Sequence, residues 1–126
     1  MIRSMMMLSA LALSAPAVAQ TQMQMNQQAT AQWKAADASM TQRWRAVYAQ
    51  MKRLDSEDTS RGGGFGYAAA ALESQRAWLP FRDRQCVVEA AKYAGGSIGP
   101  MAQAQCLTRL TRERTSQLSK LIWRGR

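Results

Sequence analysis

Apolar residues in this chain recur at helical spacings, and no segment alternates with the period of a strand. Trp33, Met40, Val47 and Leu54 return at every seventh position, and Trp44 and Met51 each fall four residues after a member of that row. Such a stripe marks one face of a helix that packs against a neighbour. A second row runs through Leu72, Leu79, Cys86 and Tyr93, and a third through Met101, Leu107, Leu110, Leu118 and Leu121. These patterns predict an all-α domain of three helices, over roughly 30–54, 67–94 and 100–123. Residues 20–29, rich in Gln, Thr and Met without a firm apolar period, are expected to form a flexible N-terminus to a helical domain of 30–126.

The breaks between the rows carry their own chemistry. Asp55-Ser56-Glu57-Asp58 leads into Arg61-Gly62-Gly63-Gly64, which predicts a mobile connector. The glycine run resembles a phosphate-binding loop only superficially, because it lacks the Lys and Ser/Thr ending and follows no strand. Gly95, Gly96 and Gly99 offer the positive-φ options that end one helix, and Pro100 suits the first turn of the next. Pro80 falls inside the second row, so that helix either kinks near Trp78 and Leu79 or begins later. The helix-forming stretch Ala68 to Arg76 favours the kink.

The two cysteines, Cys86 and Cys106, lie on the inward rows of the second and third helices. An antiparallel hairpin brings them together. The redox compartment comes from the N-terminus, where Arg3 precedes an apolar stretch from Met5 to Ala15 and Pro16-Ala17-Val18-Ala19 ends in a small-residue cleavage signal. Residues 1–19 therefore read as a secretory signal peptide, and the remainder as a soluble periplasmic or secreted protein with no transmembrane segment. With no cysteine near the cleavage point, a lipid anchor is not expected. Outside the cytoplasm the expected state of Cys86 and Cys106 is a structural disulfide stapling the hairpin. A zinc site needs four ligands, whereas the chain has two cysteines and no histidine, and a thioredoxin-like C-x-x-C spacing is absent. No metal or cofactor is expected.

Charge narrows the function classes. The chain carries 17 Lys and Arg against 8 Asp and Glu, a formal net charge of +9. Arg109, Arg112, Arg114, Lys120, Arg124 and Arg126 face one acid, Glu113, near the C-terminus. A basic face formed by Arg109, Arg112, Lys120 and Arg124 suits anionic envelope polymers. Nucleic acid is set aside on grounds of compartment. Catalysis has little to work with: without histidine, acid–base chemistry falls to Glu73, Asp83, Glu89 and Glu113, on arginine-rich helices that keep carboxylates ionised. The chain is not expected to be an enzyme.

The ordered set Gln75-x-x-Trp78-Leu79-x-x-Arg82-Asp83-x-x-Cys86, then Gly95-Gly96-Ser97-Ile98, then Cys106-Leu107 and Thr111-x-x-Arg114-x-x-x-Leu118, resembles the LprI-like lysozyme inhibitor domain. The resemblance implies an exported helical domain that inhibits a lysozyme or other muramidase. The alternative is a non-catalytic envelope module that binds anionic surface polymers. Lysozymes of the chicken type are themselves basic, so an inhibitor of this charge needs a locally complementary patch. The Asp55–Asp58 segment, or an aromatic presented to the cleft, are the two candidates.

Pairing through Cys86 and Cys106 sets a register that places Arg82 diagonally beside Glu113, Trp78 level with Arg114, and Asp83 near Arg109. The expected contacts are an Arg82–Glu113 ion pair, an Arg114–Trp78 stack and a surface Asp83–Arg109 pair. Trp78, Arg82, Asp83, Glu113 and Arg114 are accordingly candidates either for recognition or for steadying the hairpin.

Overall fold

The fold is described from a computed structural model over residues 21–58 and 66–123. The leader expected at 1–19, the glycine run of the first connector, and Arg124 lie outside the described residues. Three long helices, α1 (Gln22–Glu57), α2 (Tyr67–Ala90) and α3 (Gly99–Ser119), form the domain, with a short 3-10 turn, Ala91–Tyr93, closing α2. No strand occurs among the described residues.

The first helix begins at Gln22, not near Thr30, which corrects the expected flexible segment at 20–29. A capping box starts it: the Gln24 amide donates to Thr21 Oγ1 at 3.2 Å, and the Thr21 amide donates to Gln24 Oε1 at 2.9 Å. Tertiary contacts then hold the first turns. Ala29 is buried, and Asn26 Nδ2 donates to the Ser97 carbonyl at 3.0 Å. The Thr-x-x-Gln signature was present in the sequence, but the apolar period that would have extended the helix was not.

Packing divides the core in two. Met40, Val47, Met51 and Leu118 form one buried cluster, covered by Trp44, Leu54, Trp78 and Leu79. Cys86, Cys106 and Leu107 form the other, with Trp33 and Leu110 against it. The disulfide joins Cys86 and Cys106 across α2 and α3 at a Cα–Cα distance of 5.5 Å. Between the clusters lies a buried polar layer of Arg82 and Thr111, while Gln75 is buried beside the first cluster with its Nε2 3.8 Å from the Met40 sulfur. Although α3 is stapled to α2, its most extensive packing is against α1. Ala36, Ala104, Thr108 and Thr111 are buried and small, which lets two helices approach closely.

The boundary between α1 and α2 differs from the expected mobile connector on its first side. Helix α1 continues to Glu57, and the Asp55 carboxylate accepts three backbone N–H groups, from Gly66, Tyr67 and Ala68, each at 2.9 Å. Asp55 thus caps the N-terminus of α2 from the end of α1, meeting orphan donors and the positive end of the helix dipole. Gly66, at φ 90°, provides the left-handed turn into α2. The hydrogen bond from Ala68, with those from Tyr67 and Gly66, holds the Asp55 carboxyl below its ordinary pKa against partial desolvation. A depressed folded-state pKa means the cap's contribution is complete above the ordinary aspartate range and is lost as pH falls through the lowered value. Asp55→Ala is therefore expected to lower the thermal midpoint at neutral pH. Circular-dichroism melts at decreasing pH should show the gap to wild type narrowing only below the usual aspartate range.

Pro80 sits within one continuous α2, so the later start is excluded: the helix begins at Tyr67. Pro80 is exposed on the solvent side of α2. Helix α3 ends at Ser119 rather than near 123, leaving Leu121, Ile122 and Trp123 exposed beyond it.

Candidate functional site

Trp78, Arg82 and Arg114 come together on the α2–α3 seam. Two guanidinium groups lie over Trp78, with Arg82 Cζ 5.3 Å and Arg114 Cζ 5.7 Å from its ring centroid. The expected Arg114–Trp78 stack is present. Arg114 also donates from Nε to Gln75 Oε1 at 3.0 Å and from Nη2 to Ser74 Oγ at 3.0 Å. Burial pulls its pKa down from the usual guanidinium value.

Arg82 is only 6% exposed, yet it does not meet Glu113. Its Nη1 pairs with Asp37 Oδ1 at 2.6 Å and donates to Thr111 Oγ1 at 3.3 Å, while Nε pairs with Asp83 Oδ1 at 2.9 Å. Both register-based ion pairs are thereby corrected. Glu113 and Arg109 pair with each other along α3 at 3.5 Å, and Arg109 reaches Glu89 at 2.7 Å instead of Asp83. The physical reason is α1. A two-helix register turned Arg82 toward α3 alone, whereas α1 fills the seam and offers Asp37 on its inner edge. Asp37 was missed in the sequence. Its signal was an acid three residues before the buried Met40, next to the apolar stripe.

The basic face is less uniform than its composition. Arg109 is engaged by two carboxylates, and its hydrogen bond to Glu89 raises its pKa. Hydrogen bonds from Gln85 and then Arg109 lower that of Glu89. Arg112 and Lys120 are exposed and make no ion pair among the described residues. Arg112 lines a shallow groove between α1 and α3, where cavities of about 250 and 390 Å³ adjoin through Ser39 and Thr115, with Arg43 at the far end.

At the end of the bundle nearest the disulfide, the chain turns from α2 into α3. Residues 91–98 are all exposed, including Tyr93 at 40% and Ile98 at 42%. A depression of about 450 Å³ lies beside them, lined by Tyr93, Lys92 and Glu89 on one side and Gln105 and Arg109 on the other. No group of three or more His, Cys, Asp or Glu side chains able to hold a metal occurs among the described residues. No helix among them is long and apolar enough to cross a membrane.

Comparison with known proteins bears on this arrangement. A protein of Rhizobium meliloti (strain 1021), itself uncharacterised, is 38% identical over 103 residues, covering 81% of this chain and 74% of that one. No solved structure matches. The sequence profile of the family described as "Lysozyme inhibitor LprI" matches residues 14–118, spanning the disulfide, the Trp78 cluster and all three helices. On that match the chain belongs to the LprI lysozyme inhibitor family.

Proposed function

We propose that this protein is an exported, non-catalytic inhibitor that binds a muramidase and occludes it. The observation that carries the reading is the family match over residues 14–118. The architecture supports it. A short domain whose helices are stapled, capped across the first connector and held by a buried polar layer offers a rigid surface, and rigidity reduces the ordering cost of binding. Trp78, Arg82 and Arg114 are bound to one another and to Asp37, Gln75 and Ser74, so in this reading they hold the hairpin in shape while exposed residues meet the target. Export, directed by the leader at 1–19, places the inhibitor in the periplasm or outside the cell.

The test is titration of the purified, oxidised protein into lysozymes of several types, following lysis of a susceptible cell suspension. Saturable inhibition near one-to-one that persists at about 0.3 M salt is the expected result; screening at that ionic strength removes most binding that rests on charge alone. Loss of all inhibition across the panel would sink the reading.

One observation favours a second reading. Arg43 and Arg112 line the α1–α3 groove without an acidic partner among the described residues, as an anionic envelope polymer would require. Binding to such polymers should weaken steeply with added salt, and Arg43→Glu with Arg112→Glu should abolish it.

A further inference from the structure

An occluding protein must put something convex into a concave cleft, and the structure narrows what that can be. Of the two features able to offset the basic charge, the acidic segment is partly spent, because Asp55 caps α2 with its carboxylate. Trp33, Trp44 and Trp78 are partly buried against the two core clusters. The exposed aromatics among the described residues are then Phe81, Tyr93 and Trp123. Phe81 lies on the broad flank of α2. Trp123 packs edge-on against Tyr67, and its carbonyl accepts from Gln50 Nε2. Tyr93 stands in the turn at the end of the bundle, where residues 91–98 are all exposed.

We infer that the α2–α3 turn, led by Tyr93 with Lys92 and Ile98, is the wedge that enters the substrate cleft of the muramidase. The inference rests on the inhibitor reading above and names the surface that performs it. Gly95 and Gly96 leave the turn without side chains at its apex, and Gly95, at φ 79°, makes the tight reversal that few other residues adopt. Gly99 allows close return of the chain: a Cβ there would lie 3.1 Å from the Tyr93 carbonyl oxygen. The turn is also pre-set. Backbone bonds run from Ala94 to Ala91, Gly96 to Tyr93 and Gly99 to Gly96, and Asn26 on α1 ties down Ser97. The disulfide sits one heptad behind Tyr93 on the same row. An ordered turn of this kind loses little entropy on binding.

Charge fits the same partner. Glycoside-hydrolysing clefts present a pair of carboxyl groups flanking the scissile bond. Lys92 Nζ lies 5.1 Å from the Tyr93 ring centroid, so the turn carries a cation and an aromatic face together. Glu89, whose carboxyl also feels the Lys92 charge, takes its hydrogen bonds from Arg109 and Gln85, so Lys92 makes no ion pair of its own among the described residues. A local cation meeting cleft carboxylates removes the difficulty of two basic proteins associating, because complementarity is needed only where they touch.

Calorimetric titration of the oxidised protein into a muramidase whose cleft takes the N-acetylglucosamine trisaccharide tests this directly. Wild type is expected to bind, and saturating trisaccharide to compete with it. Tyr93→Ala should weaken binding by about 30-fold, as loss of an interfacial hot spot does, and Lys92→Glu by a similar factor. Phe81→Ala should stay within about twofold. Tyr93 and Lys92 are exposed, so both variants should keep the wild-type melting midpoint, checked by circular dichroism. If wild type binds no muramidase, the inhibitor reading and the wedge fall together. If wild type binds while Tyr93→Ala and Lys92→Glu remain within about twofold, or the trisaccharide does not compete, the wedge is wrong and the inhibitor reading stands.

Discussion

Replacing Cys86 and Cys106 together by alanine is expected to lower the unfolding free energy by at least about 3 kcal/mol. The bridge closes a loop with a sequence separation of 20, and constraining the unfolded chain over that length accounts for this figure in the entropy treatment. Packing adds to it. Cys86 is fully buried and Cys106 nearly so, and together with Leu107 they form the second core cluster, with Trp33 and Leu110 against it. Losing two sulfurs there leaves space that the neighbours fill only in part. For a domain of this size the thermal midpoint should fall by on the order of 15 °C. Reductant should shift wild type in the same direction and leave the double variant unchanged. A shift below about 5 °C would mean that the packing of α1 against α3 already holds the hairpin closed without the bridge.

Arg82→Ala should cost about 2–3 kcal/mol, the largest effect expected from any single charged residue. Breaking a fully buried pair costs about 3–5 kcal/mol, because the partner is left charged and dry. Here the partners stay partly wet, with Asp37 40% and Asp83 57% exposed in their side chains, which brings the figure below that range. The rest of the loss comes from the guanidinium's place over Trp78 and its bond to Thr111, a side chain with no exposure at all. Arg82→Lys should recover only part of the stability, since an ammonium cannot reach Asp37, Asp83 and Thr111 as one fork. Asp83→Ala should cost well under 1 kcal/mol as a surface partner, with Asp37→Ala between it and Arg82→Ala. Urea unfolding of the four variants reads this order. Unchanged unfolding for Arg82→Ala would mean that the pairs with Asp37 and Asp83 gain no more than the burial of the guanidinium costs.

Much of the helical architecture was legible in the sequence because it rests on local, repeating chemistry. The heptad rows through Met40, Val47 and Leu79, the Gly95-Gly96 turn, and Pro100 at the start of α3 each act within a few residues of themselves. So did the Thr21-x-x-Gln24 capping box, although the polar stretch after it carries no firm apolar period. The partners of the charged residues were another matter. Arg82 faces both an α2 neighbour and an α1 acid, and nothing in the spacing of either helix ranks Asp37 above Glu113. Asp55 reads as part of a polar linker until α2 is folded back so that three amides point at it.

Three helices, their apolar faces and the pairing of Cys86 with Cys106 were set by the order of residues along the chain. These follow from periodicity and from there being only two cysteines in the chain. Folding in three dimensions set the rest: α1 enters the α2–α3 seam, Arg82 meets an acid of α1 as well as its own neighbour, Asp55 is consumed as a cap, and Tyr93 is exposed at the end of the bundle. Ion pairs and exposure depend on distances between chain segments far apart in sequence. Helix period sets which face a residue occupies, whereas only packing sets what that face meets.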